Sequence, residues 1–233
     1  MTTVLVMAPM PVELRAVVKA GGLQRRERDG LTVSDGMVGA TSVVAVIAGI
    51  GTAEARRRTA RAIEAVRPDH VVVSGIAGGL DPSMRIGDLH VPAVALDAAT
   101  DERHPTDPLG SSPRRGTIRT GDELMAPDAM AQFIDGDILS VDMETAAVGA
   151  VCMARSLPWT AFRGISDLVA DGYVGDDVLA LTNPDGSARV GAGVKYLLTH
   201  PHHVPRLVKL GRGGALAAKV AAVAAINAIA TLD

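Results

Sequence analysis

The chain alternates short aliphatic runs with stretches of helical periodicity, and this alternation limits its fold more than any other feature. Helices are expected at 11–21, at 52–66 and from Met143 onward, because apolar residues there recur at helical spacing. The runs expected to form strands lie at 3–7, 31–39, 41–49, 70–80, 87–98, 137–141 and 159–167. Alternating strands and helices predict the α/β class, with a mixed, largely buried central sheet between two helical layers. We expect residues 1–233 to form a single domain.

The composition agrees with a packed core and excludes several classes of function. Apolar residues make up 48 % of the chain and aromatic residues only 2 %, so small aliphatic side chains must fill the core. Rows of aromatic residues that stack on nucleic-acid bases are not expected. The net charge of −3 provides no general attraction to nucleic acid. The single cysteine, Cys152, lies in an Ala/Val/Met run, which favours a buried apolar role and excludes an internal disulfide.

Targeting signals are not evident, and we expect a cytoplasmic protein. The N-terminus lacks the basic region and long apolar core of a signal peptide. No apolar run is expected to reach the roughly 18 residues that span a bilayer. Residues 99–117 are rich in Pro, Gly and Ser and predict a long surface loop. The last helix is expected to bury one apolar stripe, formed by Leu216, Val220, Val223, Ile226 and Ile229.

Carboxylates and glycines follow several predicted strands at the point where each strand ends. Glu13 follows the first strand, Glu144 follows the strand at 137–141, and Asp167 ends the strand at 159–167. In open α/β sheets, ligands bind in the crevice outside the carboxyl ends of the strands. Since a buried carboxylate is costly unless it is paired or in use, three of them at neighbouring strand ends indicate a functional site.

Each motif also has a purely structural interpretation. A helix N-cap explains Asp167, interaction with a helix dipole explains Glu13, and a tight connection explains the glycines at 75–79. The segment GIGTAE (49–54) lacks the third glycine and the later acidic residue of a dinucleotide site. The segment HPHH (200–203) has no nearby carboxylate or cysteine, so a solvated cluster is favoured over a metal site. We expect neither a metal nor a cofactor.

Four segments in consistent order resemble the purine nucleoside phosphorylase and uridine phosphorylase superfamily. They are MPVELRAV, GIAGGL, VDMETAAV and FRGISD, and the resemblance covers roughly residues 3–170. Within the superfamily they are most similar to the methylthioadenosine/S-adenosylhomocysteine nucleosidases. The resemblance implies a nucleoside phosphorylase-like fold and an enzyme that breaks the bond between a ribose and a nucleobase.

The resemblance also implies a role for each polar residue, in a reaction that places positive charge on the sugar. Glu13 would activate the attacking water, Asp167 would be the general acid near purine N7, and Glu144 would accept hydrogen bonds from the ribose hydroxyls. Arg163 would orient the water or a neighbouring carboxylate. Asp142 is expected to point outward. The implied substrate-binding residues are Met143, Ile50, Gly75, Ile76, Ala77, Gly78, Asp122, Leu124 and Ser166.

The choice between hydrolysis and phosphorolysis rests on two arginines that hexameric phosphorylases of the family carry. Val73 occupies one matching place here, and Glu13 lies at approximately the other. Because bidentate guanidinium contacts supply much of phosphate recognition, we expect hydrolysis. Three alternatives remain: a phosphate-dependent phosphorylase, a methylthioadenosine/S-adenosylhomocysteine nucleosidase, and a nucleoside-binding module without catalytic activity.

Because the chain departs from the family pattern at several positions, the resemblance does not determine the 5′ substituent of the substrate. Ile76 stands where serine is usual, Leu124 stands where phenylalanine stacks on adenine, and the 99–117 loop lacks aromatic residues. The backbone near 122–124 is expected to read adenine. The segment 183–214 resembles the hopanoid-associated branch, which releases adenine from an adenosylated triterpenoid lipid. This implies a large apolar 5′ substituent such as that of adenosylhopane, contact with lipid or a membrane surface, and a homodimer or larger homo-oligomer.

Overall fold

The computed structural model describes residues 1–123, 133, 136–168 and 204–232. The described helices are α1 (Pro11–Gly21), α2 (Thr52–Val66), α3 (Thr145–Met153) and α4 (Val204–Ile229). The first strands are β1 (Thr3–Ala8), β2 (Gln24–Arg28), β3 (Leu31–Val38), β4 (Thr41–Ile47), β5 (His70–Gly79) and β6 (Leu89–His90). They are followed by β7 (Val94–Asp97), β8 (Arg103–Pro105), β9 (Thr117–Thr120), β10 (Ile138–Asp142) and β11 (Trp159–Leu168).

The described strands form one mixed sheet that branches at β5. The main path is β2-β3-β4-β1-β5-β10-β9-β7-β8, while β11 pairs with β5 and with β6. β11 runs parallel to nearly all of β5, whereas β1 pairs with residues 70–73 and β10 pairs antiparallel with residues 78–79. The predicted α/β class with a mixed sheet is therefore confirmed, and β5 and β11 lie at its centre.

Helices cover both faces of this sheet, which confirms the three-layer architecture. Successive side chains of a strand point to opposite faces, and β1 shows the division clearly. Val4 and Val6 pack with α1 and α4, whereas Leu5 and Met7 belong to the core beneath α2 and α3. Both cores consist mainly of small aliphatic side chains, as the composition predicts.

Helix α4 lies very close to β11, because small residues line their contact. An added Cβ at Gly164 would collide with the backbone of Ala217. The apolar stripe predicted for this helix is confirmed at its two isoleucines but is wrong at Leu216 and Val223, which are 48 % and 41 % exposed. Alanines form the buried face in place of Leu216 and Val223, because only small side chains permit α4 to lie so close to β11. The buried face comprises Ala217, Ala218, Ala221, Ala222, Ala225, Ile226, Ala228 and Ile229.

One stretch of α4 has the length and composition of a membrane span, which the sequence reading did not expect. Leu210–Ile229 has a mean hydropathy of 1.3 in its most apolar window, although half of that window is buried in this fold. The helix packs on β11, α1 and β5. A buried core helix passes the same test of length and hydropathy, and we interpret α4 in that way.

Local differences from the sequence expectations have simple causes. β2 was missed because its sequence QRRER is fully exposed and has no apolar alternation. The strand expected at 87–98 is divided into β6 and β7 around Pro92, since proline cannot donate to a ladder. The loop expected at 99–117 contains the short strand β8. Cys152 is buried as predicted, and burial raises the pKa of its thiol to about 12.

Candidate active site

Glu13 lies in the first turn of α1, and its carboxyl group is directed into the protein. Oε2 accepts a 2.6 Å hydrogen bond from the Met10 amide, as the acidic residue of a capping box does. Oε1 accepts a 2.7 Å bond from the Ile76 amide of β5. The residue is 1 % exposed. Burial raises the pKa of Glu13 to about 7, although Arg163 and both amides act to lower it. Glu13 is thus a buried carboxyl group that titrates near neutrality.

Arg163, on β11, is a buried guanidinium that faces several of the predicted carboxylates. It is 1 % exposed. Its Nη2 atom lies 2.8 Å from Asp142 Oδ2 and 3.5 Å from Glu144 Oε2. Its Nε and Nη1 atoms have no hydrogen-bond partner among the residues that the structure describes. Since an unpaired buried donor is costly, these two N–H groups are well suited to hold a reactant.

Gly75 provides the space in which Glu13 and Arg163 meet. It pairs with Arg163 in the β5–β11 ladder. An added Cβ at this position would collide with Glu13 Oε1 and would lie 2.7 Å from Arg163 Nη1. The requirement for glycine is therefore steric, since any side chain here would push the carboxylate and the guanidinium apart.

Glu144 stands at the N-terminal end of α3, and its side chain turns toward Arg163. Its Oε1 atom accepts a 3.1 Å hydrogen bond from the Gly51 amide, in the turn between β4 and α2. Gly49 and Gly51 have φ angles of +82° and +87°, which glycine adopts readily. The side chain is 7 % exposed. Burial, followed by the neighbouring Asp142, raises the pKa of Glu144 to about 8, while Arg163 acts in the opposite direction.

Asp142 points into the site, and the expectation that it points outward is wrong. Its side chain is 2 % exposed. Oδ1 accepts a 2.6 Å bond from the Thr120 hydroxyl of β9. Oδ2 accepts bonds of 2.9 and 2.6 Å from the amide and hydroxyl of Thr145, in addition to its contact with Arg163. Asp142 therefore joins the first turn of α3 to β9 and β11.

Asp167 lies near the end of β11, beside the glycine-rich end of β5. The register shifts between Ile165 and Asp167, so that Ser166 is the extra residue of a bulge and Asp167 pairs with Gly78. The Ser166 hydroxyl lies 2.5 Å from Asp167 Oδ1 and donates to it. An added Cβ at Gly78 would lie 3.3 Å from Asp167 Oδ2. The bulge and the Ser166 hydroxyl together fix the direction of this half-buried carboxylate.

The apolar residues predicted to bind substrate are distributed among these polar groups. Met143 and Ile50 are half-buried, Met143 next to Asp142 in the chain and Ile50 in the turn that contacts Glu144. Within β5, Ile76 is half-buried and Ala77 is buried. The structure therefore brings the ends of β5, β10 and β11 together, as the strand-end argument predicts.

The residues predicted to read adenine are only partly described. The exposed side chain of Asp122 accepts bonds of 2.6 and 2.5 Å from the amide and hydroxyl of Thr52, so it caps α2. Leu124 lies outside the described residues, as do the HPHH segment and most of the C-terminal segment that resembles the hopanoid-associated branch.

Sequence reasoning missed the threonines and the amide that organise the carboxylates. Thr145 had a usable signal, since Asp142 precedes it by three residues at the start of a helix. Thr120 had none, because it lies 22 residues from Asp142 and meets it only through the pairing of β9 with β10. The Gly51 amide likewise reaches Glu144 across 93 positions of the chain.

Sequence comparisons relate the chain to proteins of known activity. Residues 3–115 match the family model described as the phosphorylase superfamily. The 5′-methylthioadenosine/S-adenosylhomocysteine nucleosidase of Geobacillus kaustophilus is 27 % identical over 173 residues, which are 61 % of this chain and 74 % of that protein. The enzyme of the same name from Colwellia psychrerythraea is 29 % identical over 178 residues, covering 61 % and 73 %.

Solved structures extend the similarity of fold to the whole chain. The Neisseria meningitidis nucleosidase of the same name, in complex with methylthio-immucillin-A, has a TM-score of 0.72 at 17 % identity and covers 100 % of both chains. Futalosine hydrolase of Helicobacter pylori has a TM-score of 0.67 at 17 % identity, covering 95 % of this chain and 94 % of that one. The chain is therefore similar in sequence to the phosphorylase superfamily over residues 3–115, and it shares its fold with these solved structures.

Proposed function

We propose that the enzyme hydrolyses the N-glycosidic bond of an adenine nucleoside that carries a 5′ substituent. The observation that carries this proposal is the meeting of Glu13 and Arg163 at Gly75. There, a carboxyl group that titrates near neutrality lies near Arg163 Nη1, which has no hydrogen-bond partner among the described residues. A general base works best when its pKa is near the operating pH. The relatives named as nucleosidases and as a futalosine hydrolase support the reaction class.

Each step of the proposed reaction has a residue to perform it. A water molecule oriented by Arg163 loses a proton to Glu13 while its oxygen bonds to C1′ of the ribose. The bond from C1′ to N9 breaks, and its electron pair leaves with the base. Asp167 donates a proton to purine N7, which neutralises the leaving base. Glu144 accepts hydrogen bonds from the ribose hydroxyls, and Met143 packs against the sugar.

The charge of the site suits this reaction. Positive charge develops on the ribose as the bond breaks, and the buried carboxyl groups of Glu13, Asp142 and Glu144 surround one guanidinium. Those of the carboxyl groups that are ionised stabilise such charge more effectively in a site that excludes water than they would in bulk solvent.

Hydrolysis is favoured over phosphorolysis by the same charges. Val73, which replaces one family arginine, is buried in the core, and Glu13 replaces the other. Arg163 already lies within 3.5 Å of two carboxylates. A phosphate bound here would have to compete with these carboxyl groups for Arg163, and each one that is ionised would repel it. Water carries no charge and is free of this repulsion.

For the 5′ substituent we propose a large apolar group, such as the lipid part of adenosylhopane. Ile76 in place of a polar serine and the loop without aromatic residues support an open apolar pocket. Contact with a lipid surface is supported by a groove of about 490 Å³ on the outer face of α4. The half-exposed Leu216 and Val223 and the basic Lys219 line this groove. Sedimentation with anionic vesicles tests the contact, and no association would refute it.

We further propose a single domain, a cytoplasmic location and a homodimer or larger homo-oligomer. One sheet that carries helices on both faces supports the single domain. Light scattering on the purified protein tests the oligomer, and a monomer at working concentration would contradict it.

The reaction is tested by measuring release of free base. The substrates are methylthioadenosine, S-adenosylhomocysteine, adenosine, 5′-deoxyadenosine and an adenosine with a long 5′ hydrocarbon, each with and without phosphate. Adenine release that does not depend on phosphate is expected, with highest kcat/KM for the hydrocarbon derivative. Strict dependence on phosphate would indicate a phosphorylase, preference for methylthioadenosine would refute the lipid substituent, and tight binding without release would indicate a binding module.

A further inference from the structure

Two buried carboxyl groups contact one guanidinium in the described part of the site, and a third lies near it. Glu13, Asp142 and Glu144 all lie close to Arg163, and every one of these side chains is at least nine-tenths buried. If all four groups were ionised, the cluster would carry two uncompensated negative charges away from water. Charge burial of this kind is strongly unfavourable, so protons or asymmetric pairing must relieve it.

The pairing is asymmetric, and it favours Asp142. Arg163 Nη2 lies 2.8 Å from Asp142 but 3.5 Å from Glu144. Asp142 also accepts three further hydrogen bonds, from the Thr120 hydroxyl and from the amide and hydroxyl of Thr145. An ionised carboxylate offers about four acceptor positions, and these donors occupy them. Every partner of Asp142 therefore stabilises its charged form.

The partners of Asp142 are themselves held by the fold. The Thr120 hydroxyl accepts a 2.9 Å bond from the Ala146 amide while it donates to Asp142. β9, the first turn of α3 and β11 are thus joined through a single carboxylate. This arrangement fixes one end of the Arg163 guanidinium and leaves Nη1 beside Glu13 at Gly75.

We propose that Asp142 is a positioning residue, which holds Arg163 and neutralises its charge so that neither Glu13 nor Glu144 forms a close ion pair with it. The inference rests on the proposed function, in which Glu13 must remain basic enough to take a proton from water. With Arg163 committed to Asp142, the two glutamates retain protons near neutrality. Arg163 then acts through its unpaired N–H groups rather than through its net charge.

The neighbouring charged groups agree with this assignment. Burial raises the pKa of Glu13 to about 7, and burial followed by Asp142 raises that of Glu144 to about 8. His90 of β6, which pairs with Arg163, accepts a hydrogen bond from Ser140, and burial lowers its pKa to about 4. It is therefore neutral at physiological pH and adds no charge. Among the described residues, the charged groups that act on both glutamates are Arg163 of β11 and Asp142 of β10. Glu13 of α1 also acts on Glu144, which caps α3.

The test compares Asp142→Asn with Asp142→Glu and with the control Asp35→Asn. Asp35 pairs with Arg26 at the same 2.8 Å distance but on the exposed surface. In Asp142→Asn, the positive charge of Arg163 is no longer neutralised at this position and acts on the two glutamates. The acid limb of log kcat/KM should therefore move about one pH unit lower. Because Arg163 also loses its fixed position, kcat should fall at least about tenfold. Asp142→Glu should keep the limb in place, because it keeps the charge, and Asp35→Asn should change nothing. A fall in activity with an unmoved limb would overturn the proposal.

A second measurement does not depend on turnover or on the variants. Carbon-13 labelling of side-chain carboxyl groups reports the titration of each by NMR in the wild-type protein. We expect two glutamates to titrate near or above neutrality. If both glutamates are ionised at pH 5, the proposal is wrong. Inactivity on every nucleoside would refute the proposed function and leave this measurement intact.

Discussion

Gly75→Ala is the substitution that most directly tests the proposed meeting of carboxylate and guanidinium. The new Cβ would collide with Glu13 Oε1 and lie 2.7 Å from Arg163 Nη1, so at least one group must move. Neither can retreat freely, because Glu13 is held by the amides of Met10 and Ile76 in a packed interior. Overpacking of this kind costs about 1–3 kcal/mol.

The expected magnitudes follow from that displacement. At about 2–4 °C per kcal/mol for a chain of this size, Tm should fall by roughly 2–12 °C. Misplacement of a catalytic group by about 1 Å costs about a hundredfold in rate, so kcat should fall by that order. Gly211→Ala is the control, because an added Cβ there has no atom of the described residues within 4 Å. It should keep activity and gain up to about 1 kcal/mol in stability.

Thermal unfolding followed by circular dichroism, with base release on the preferred nucleoside, measures both effects. If Gly75→Ala keeps both the parent Tm and the parent kcat, Glu13 and Arg163 do not meet at this glycine. A lowered Tm with unchanged kcat would show that the contact exists but does not serve the reaction.

Other substitutions separate the remaining roles. Asp167→Asn should keep nucleoside binding but lose at least about a hundredfold in base release, the low end for a general acid; near-normal turnover would exclude that role. Glu144→Gln should weaken discrimination between ribosides and 2′-deoxyribosides, because a site that binds a hydroxyl penalises its loss; an unchanged preference would show that Glu144 does not hold the sugar. Glu13→Gln should remove a pH dependence of stability. Native Glu13 holds its proton more tightly than the unfolded chain does, so wild-type stability falls as pH rises from about 4.5 to 7, by about 3 kcal/mol at 1.36 kcal/mol per pH unit. Denaturant unfolding of both proteins at pH 5 and pH 8 checks the difference, and parallel changes would contradict it.

The fold could be predicted where the sequence carries periodic signals, and it could not where contacts alone decide. The aliphatic runs of β1, β4 and β5 predict buried strands because their burial follows from composition. The buried face of α4 was missed, because alanines carry a weak hydrophobic signal although they alone permit contact with Gly164. The exposed strand β2 was missed because it is held by pairing with β3 rather than by burial.

The candidate site likewise contains residues that a local sequence pattern predicts and residues that it does not. Glu13, Glu144 and Asp167 were predictable because carboxylates at strand ends are unusual where burial is expected. The inward direction of Asp142 was not, since it depends on Thr120 and Arg163, which reach it only through the pairing of β9 and the crossing of β11. A local sequence pattern cannot report a partner that the sheet brings from elsewhere in the chain.

The central claim is that Glu13 takes a proton from the attacking water, and the pH dependence of kcat/KM for wild type and Glu13→Gln tests it most directly. Glu13 must be ionised to act, so wild-type kcat/KM without phosphate should rise with pH through about 7 and then level. Glu13→Gln should lose at least about a hundredfold and lose this rise. A wild-type profile that stays flat from pH 5 to 8, or a Glu13→Gln variant within about tenfold of wild type, would contradict the account.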